Sequence, residues 1–332
     1  MSDARNIDIL VTGATGFIGS SLLEPLARDG ARLRAGVRQV KPAAAATAQV
    51  QSYPCDLDNP DQLRAAVAGT DIVVHTAYRS IAAMPDQCRR LLAAMSAAGT
   101  ANLVYFSSIA VYGSAAGHVG EDTPPHGDPG SYGLAKRQCE ESIRQWVAEQ
   151  PQTRRAVILR PGIVYGAHSQ LWVDKMIARI RCGAWGTFGS SGEGMAALIH
   201  IDDVAAITAQ ACARLAQDSQ NLPGVTIVNA VGPETPSWNA YFRALAAADA
   251  QPALRDLSQV ELALRMAVAM AAKVWRKAGL PGAHCAALAP TPSELRLFAL
   301  RADYATDKAE AAMGFKAGIG LQDGLRRTLS RR

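Results

Sequence analysis

A run of β-forming residues, Ile7 to Thr12, passes at once into the glycine-rich turn Thr12-Gly13-Ala14-Thr15-Gly16-Phe17-Ile18-Gly19 and the amphipathic stretch Phe17 to Arg28. Few folds accept that junction. Glycines in such a turn let the backbone approach a pyrophosphate, and the helix behind it offers free N–H groups and the positive end of its dipole. The spacing is GxxGxxG rather than the GxGxxG of the standard dinucleotide fingerprint, and glycines also mark plain tight turns, so position carries the argument. On this ground Gly13, Thr15, Gly16, Phe17, Ile18 and Gly19 are candidate cofactor-binding residues.

The alternation continues. Arg32 to Val37, Val50 to Tyr53, Asp71 to Thr76, Leu103 to Ser107 and Ala156 to Leu159 read as strands. Asp61 to Ala68, Asp86 to Ala98 and Tyr132 to Gln150 read as helices, the first led by Pro60. Strands alternating with helices predict βαβ units and a doubly wound parallel α/β sheet. Continuous apolar runs such as Asp-Ile-Val-Val suit strands covered on both faces. After Gly166 the order loosens. Gly183 to Gly194 reads as a loop, Ala197 to Ile201 and Val225 to Ala230 as strands returning to the sheet, and Ser237 to about Leu329 as mostly helical. The expected division is a dinucleotide-binding domain over 1–165, with 198–232 returning to it, and a smaller substrate lobe over 166–197 and 233–332.

At 332 residues, 49% hydrophobic and 19% charged, the chain can bury a sizeable core. The net charge of +5 is spread along it, with no basic stripe interleaved with aromatics, so nucleic acid is not an expected partner. Cys55, Cys88, Cys139, Cys182, Cys212 and Cys285 form no CxxC pair, which suggests reduced thiols in the cytoplasm, and the histidines show no metal-ligand spacing. The N-terminus runs directly into a strand, leaving no room for a signal peptide. The most apolar stretch, Leu262 to Val274, contains Arg265 and Lys273 and falls short of the roughly 20 residues a membrane span needs.

The end of the second strand discriminates between cofactors. An acidic residue there holds the adenosine ribose hydroxyl of NAD, whereas a basic one suits the 2′-phosphate of NADP. Arg38 ends this strand, Lys41 follows, and no Asp or Glu lies between Gly30 and Lys41. NADP(H) is therefore the expected cofactor, with NAD(H) as the alternative, because guanidinium binds phosphate through paired hydrogen bonds.

Tyr132-Gly-Leu-Ala-Lys136 places a phenol and an ammonium on one face of a helix. A neighbouring cation favours the phenolate, so such a phenol can exchange a proton with an alcohol or ketone near neutral pH. Ser108, at a strand's end, would polarise the substrate carbonyl. YxxxK alone is common by chance; the combination of Ser108, Tyr132 and Lys136 behind the glycine turn is what points to catalysis.

These segments, with Val111-Tyr112-Gly113, Leu159 to Gly166, Ile199 to Val204, Asn229 to Trp238 and Asp307 to Phe315, resemble the extended short-chain dehydrogenase/reductases of the NAD-dependent epimerase/dehydratase family. The resemblance implies a Rossmann domain with a variable C-terminal lobe. It further implies that Asp56 and Leu57 flank the adenine, that His75, Thr76 and Ala77 line the dinucleotide, and that Pro161, Gly162 and Ile163 lie by the nicotinamide. Ile109, Tyr165 and His200 are substrate candidates, although a strand end and helix cap explain His200, Asp202 and Asp203 equally well.

Two departures stand out. Met84 falls where many relatives carry an asparagine of the proton relay, and Tyr78 and Arg79 replace small residues beside the site, as pocket-shaping candidates. Three readings compete: an NADP(H)-dependent ketone/alcohol reductase acting on a small apolar molecule, an NAD-retaining nucleotide-sugar epimerase, and a non-catalytic dinucleotide sensor. Ile109-Ala110 cannot protonate a leaving group, which excludes a 4,6-dehydratase. Retention of Tyr132 and Lys136 speaks against the sensor. The apolar segment Val260 to Leu280 resembles the branch containing dihydroflavonol reductase and 3β-hydroxysteroid dehydrogenases. Relatives often form homodimers, but no segment here singles out an interface.

Overall fold

Adjacent residues of a strand point to opposite faces, so a strand apolar at every position needs a layer on each side. The computed structural model, which describes residues 7–39, 49–183, 185–258, 260–268 and 289–332, has this arrangement. Lys41, Cys285 and the apolar segment beyond 268 lie outside the described residues. In chain order the strands are β1 (Asp8–Thr12), β2 (Arg32–Val37), β3 (Val50–Pro54), β4 (Ile72–His75), β5 (Asn102–Phe106), β6 (Gly117–Val119), β7 (Arg155–Pro161), β8 (Ile163–Tyr165), β9 (Leu198–His200), β10 (Val225–Ala230) and β11 (Ala302–Tyr304). Seven of them form one parallel sheet in the order β10-β7-β5-β4-β1-β2-β3.

Helices α1 (Phe17–Arg28), α2 (Pro60–Val67), α3 (Met84–Ala98), α4 (Gly130–Glu149), α5 (Lys175–Arg181), α6 (Ile201–Gln217) and α7 (Trp238–Ala248) follow the same logic. On one face Ile9, Val11, Val74 and Val157 pack with Leu22 and Leu26 of α1 and Val204 and Ile207 of α6. On the other, Leu10, Val73, Leu103 and Ile158 pack with Leu63 of α2, Leu91 of α3 and Ile143 of α4. Local signals set the helix ends. The Asn59 side chain accepts from the backbone N–H groups of Asp61 and Gln62 ahead of Pro60, and α3 stops at Gly99 in the left-handed region.

Val225 to Ala230 joins the sheet as expected; the other returning strand does not. β9 pairs with β8 in a separate two-stranded sheet. β10 takes the place beside β7, and the chain before β9 instead passes close to Gly162, where a Cβ would lie 2.1 Å from the Ala197 carbonyl oxygen. β11, which pairs in parallel with β6, lies within a stretch expected to be mostly helical. A third core is aromatic, with Trp185, Phe188, Trp238, Tyr241, Phe242 and Phe298 buried together and the Trp238 and Phe298 rings 4.7 Å apart. Ala309, Met313 and Phe315 leave that core and pack with α6 and the first face of the sheet. No helix among the described residues is long and apolar enough to cross a membrane.

Candidate active site

Between β1 and β4 the strand order reverses, and the crevice at the carboxyl ends of parallel strands is where such sheets take ligands. The glycine turn sits there. Gly13 has φ +70°, and a Cβ on it would lie 2.9 Å from Thr76 Oγ1, so the loops after β1 and β4 touch. A Cβ on Gly19 would lie 2.2 Å from the Gly13 carbonyl oxygen. The bare backbone leaves a cavity of about 410 Å³, lined by Gly13, Thr15, Gly16, Phe17, Ile18 and Gly19. Arg38, Asp56, Leu57, Thr76, Ala77, Tyr78 and Arg79 complete the expected residues on its wall.

Gly36, Val37, Cys55 and Gln87 line it too, and sequence reasoning missed them. Gln87 left a readable trace: it is a polar residue in the buried stripe Met84, Gln87, Cys88, Leu91 of α3. Its Nε2 donates to Asp58 (3.1 Å) and its Oε1 accepts from the Arg79 backbone N–H (2.9 Å). Asp58 also accepts from Arg79 and Arg90, and these hydrogen bonds hold its carboxyl below the usual range, that from Gln87 contributing most. Arg79 is thus an ion-paired part of the wall. Arg38 is exposed, has no hydrogen bond or ion pair with another described residue, and faces an overlapping chamber with Gln39 and Ser52.

His75 does not reach the cavity wall. Its ring is buried and shares a 2.8 Å hydrogen bond with Thr12 Oγ1, while Thr76 Oγ1 donates to the Thr12 carbonyl (2.7 Å). Burial, then the Lys136 charge, pushes the imidazole down to about 3, so it stays neutral and braces β1 against β4.

Ser108 caps the short 3-10 helix Ile109–Tyr112, its Oγ accepting from Ala110 N–H at 3.1 Å. The first turn of α4 lies against that helix because residue 133, inside the Tyr/Lys motif, is glycine. A Cβ there would lie 2.4 Å from the Ala110 carbonyl oxygen. This contact sets the Tyr132 phenol near enough to Ser108 for the serine to favour the ionised phenol. One turn on, buried Lys136 donates from Nζ to the Phe106 carbonyl at 2.5 Å. Its ammonium lies 4.9 Å from the Tyr105 ring centroid and 5.7 Å from those of Tyr78 and Tyr132.

The electrostatics differ from the expected phenolate. Burial, followed by the neighbouring Tyr78, pushes Tyr132 up to about 12, and Ser108 only partly opposes this. Burial also brings Lys136 down to about 8, against the opposing influence of Cys139, Cys88 and Glu140. At neutral pH the phenol therefore carries its proton and the ammonium is still charged.

Met84, at the asparagine position, is buried, and its carbonyl accepts from the Cys139 thiol (3.7 Å). Pro161, Gly162 and Ile163 follow at the carboxyl end of β7, outside the lined cavity. Ile109 is buried beside Ser108. Tyr165 and His200, each 1% exposed, stack edge-on at 5.3 Å inside the protein, apart from the cavity wall. His200 accepts from Asp202 N–H and caps α6.

The family described as "NAD dependent epimerase/dehydratase family" matches residues 9–228. The chain is similar to N-acetyl-alpha-D-glucosaminyl-diphospho-ditrans,octacis-undecaprenol 4-epimerase of Escherichia coli O157:H7, 29% identical over 56% of this chain and 57% of that protein. It is equally similar to 2-alkyl-3-oxoalkanoate reductase of Stenotrophomonas maltophilia, 29% identical over 59% of this chain and 62% of that one. The chain thus spans less than two thirds of the length of either relative. Among solved structures, UDP-glucuronic acid 4-epimerase from Bacillus cereus, in complex with NAD, superposes with TM-score 0.73 at 20% identity, over 98% of each chain.

Proposed function

From the premise that this chain belongs to the NAD-dependent epimerase/dehydratase family, we propose that it is an NADP(H)-dependent oxidoreductase interconverting a ketone and a secondary alcohol on a small, apolar molecule. The observation that carries this reading is the clustering of Ser108, Tyr132 and Lys136 at the end of β5, with Tyr132 and Lys136 one helical turn apart on α4 and the Lys136 ammonium 5.7 Å from the Tyr132 ring centroid. The cavity fits a dinucleotide: Gly13 and Gly19 form a cradle that a single Cβ would fill, and Arg38 is left without a partner among the described residues. In this reading residues 1–165, with 198–232, bind the dinucleotide, and 166–197 with 233–332 cover the substrate.

A bound nicotinamide supplies or accepts the hydride. The protein's own part is the proton. Tyr132 Oη gives its proton to the carbonyl oxygen as the alcohol forms, and takes it back in the reverse direction. The Ser108 hydroxyl donates to the same oxygen and stabilises its growing negative charge. Lys136 has three N–H donors and gives one to Phe106, leaving two for a ribose hydroxyl and for the field around Tyr132. The apolar substrate class draws support from the alkyl-oxoalkanoate in the name of the reductase relative. The free thiols among the described residues suit a reducing, cytoplasmic compartment.

One observation favours the epimerase reading, namely the similarity to the undecaprenol-linked 4-epimerase. A panel of apolar ketones, assayed for NADPH oxidation beside a panel of nucleotide sugars assayed for epimerisation, separates the two. Ketone turnover supports the reductase; nucleotide-sugar epimerisation with inert ketones overturns it.

A further inference from the structure

A buried charged network lies behind Ser108, and the mechanism above makes no use of it. Glu140 lies on α4 one turn beyond Lys136 and is 2% exposed. Its Oε1 accepts from the Ser107 hydroxyl at 2.6 Å and from Arg160 Nε at 2.9 Å, and its Oε2 accepts from Arg160 Nη2 at 2.6 Å. Arg160, on β7, reaches on to Tyr112 Oη (2.8 Å), and that hydroxyl donates to Asn229 Oδ1 of β10 (2.7 Å).

Ser108 is therefore bracketed. Before it, α4 holds the Phe106 carbonyl through Lys136 and the Ser107 hydroxyl through Glu140. After it, the short helix ending at Tyr112 is held by Arg160, the partner of the same carboxylate. We propose that Glu140 is a positioning residue, whose bridge to Ser107 and Arg160 keeps Ser108 in register with Tyr132 and Lys136 and whose charge stands one helical turn from Lys136 on α4. This rests on the catalytic reading of Ser108, Tyr132 and Lys136.

The charge has its own consequence. Facing Lys136 are Tyr132, Cys139 and Glu140 from α4, Cys88 from α3, His75 from β4, Tyr105 from β5 and Tyr78 from the loop after β4. His75 stays neutral and Tyr105 and Tyr132 keep their protons at neutral pH, so support for the ammonium against burial comes first from the Cys139 and Cys88 thiols and then from Glu140, the carboxylate among these groups. Glu140 itself faces Arg160, Arg144 and Ser107. A buried carboxylate serving only to hold the fold would leave the Lys136 titration where it is once both charges of the pair are removed.

The test titrates Lys136 by NMR in protein carrying isotope-labelled lysine, with the signal assigned by its loss in Lys136→Arg. Glu140→Gln keeps an acceptor for Ser107 but leaves Arg160 buried without its counterion, which threatens folding. The double variant Glu140→Gln/Arg160→Gln removes both charges, and circular dichroism checks its fold. In whichever of these folds, the Lys136 midpoint falls by about 0.5–1 unit, while Ser107→Ala, which removes only the hydrogen bond, leaves it in place. An unchanged midpoint in the folded double variant overturns the proposal, and so does failure of both variants to fold, which makes the pair purely structural. Failure of the catalytic reading has a different signature: Tyr132→Phe then turns over like the wild type, whatever Lys136 does.

Discussion

The two halves of the crevice are built from opposite materials. On the β1–β2 side the wall is backbone and small side chains, shaped by what is missing at Gly13 and Gly19, and its cation Arg38 is exposed. On the β5–β7 side the groups are large, buried and charged, with Lys136, Glu140 and Arg160 interlocked behind Ser108. A site that must admit an anion needs open donors and room. A site that must fix a proton's position needs groups already bound to one another, because a buried polar group without partners is costly.

The largest effect is expected on the buried side. Tyr132→Phe removes the proton donor and lowers the turnover rate about 100-fold or more, with cofactor affinity largely intact. Steady-state kinetics with a separate binding titration checks this, and a matching loss of affinity would blur the division between halves.

A smaller effect concerns a buried histidine beneath the open side. His75 is pushed down to about 3 in the folded protein, whereas an unfolded histidine takes up its proton near 6.5. Over that window the unfolded state binds more protons, so stability is lost as pH falls from 6.5 toward 3, by roughly 3–5 kcal/mol at the low end. Denaturant unfolding across this range should show the loss, flattened in His75→Gln; an equally steep profile in the variant would assign it to other groups.

Smallest is the steric edge of the cradle. Gly19→Ala places a Cβ against the Gly13 carbonyl and should cost about 1–3 kcal/mol of stability, with weakened dinucleotide binding. Unchanged melting and binding would mean that the turn relaxes and that the open side is less sharply shaped than the distances imply.

The same contrast decides what could be read from the residues in order. The β1-turn-α1 junction is local, because glycine sterics and strand-to-helix periodicity act within a few residues, and the seven-stranded sheet follows from repeating that unit. Tyr132 and Lys136 are legible because one helical turn joins them. The Glu140–Arg160 pair and the Tyr112–Asn229 hydrogen bond join positions far apart in sequence, and nothing near Glu140 distinguishes it from a solvated helix glutamate. The pairing of β9 with β8 rather than the main sheet is hidden for a related reason: both are three-residue strands whose pairing is a tertiary contact with no periodic signature. The expected phenolate failed because spacing reveals a neighbouring cation but not how deeply a phenol is buried.

The central claim, an NADP(H)-dependent active site with Arg38 reading the 2′-phosphate, is met most directly by titrating NADPH and NADH into the wild-type protein and Arg38→Ser, followed by protein-fluorescence quenching. Wild type should bind NADPH roughly 10- to 100-fold more tightly than NADH, and the variant should lose that preference through weaker NADPH binding alone. Equal affinities in the wild type, or NAD retained through purification, would contradict it and bring the epimerase reading to the front.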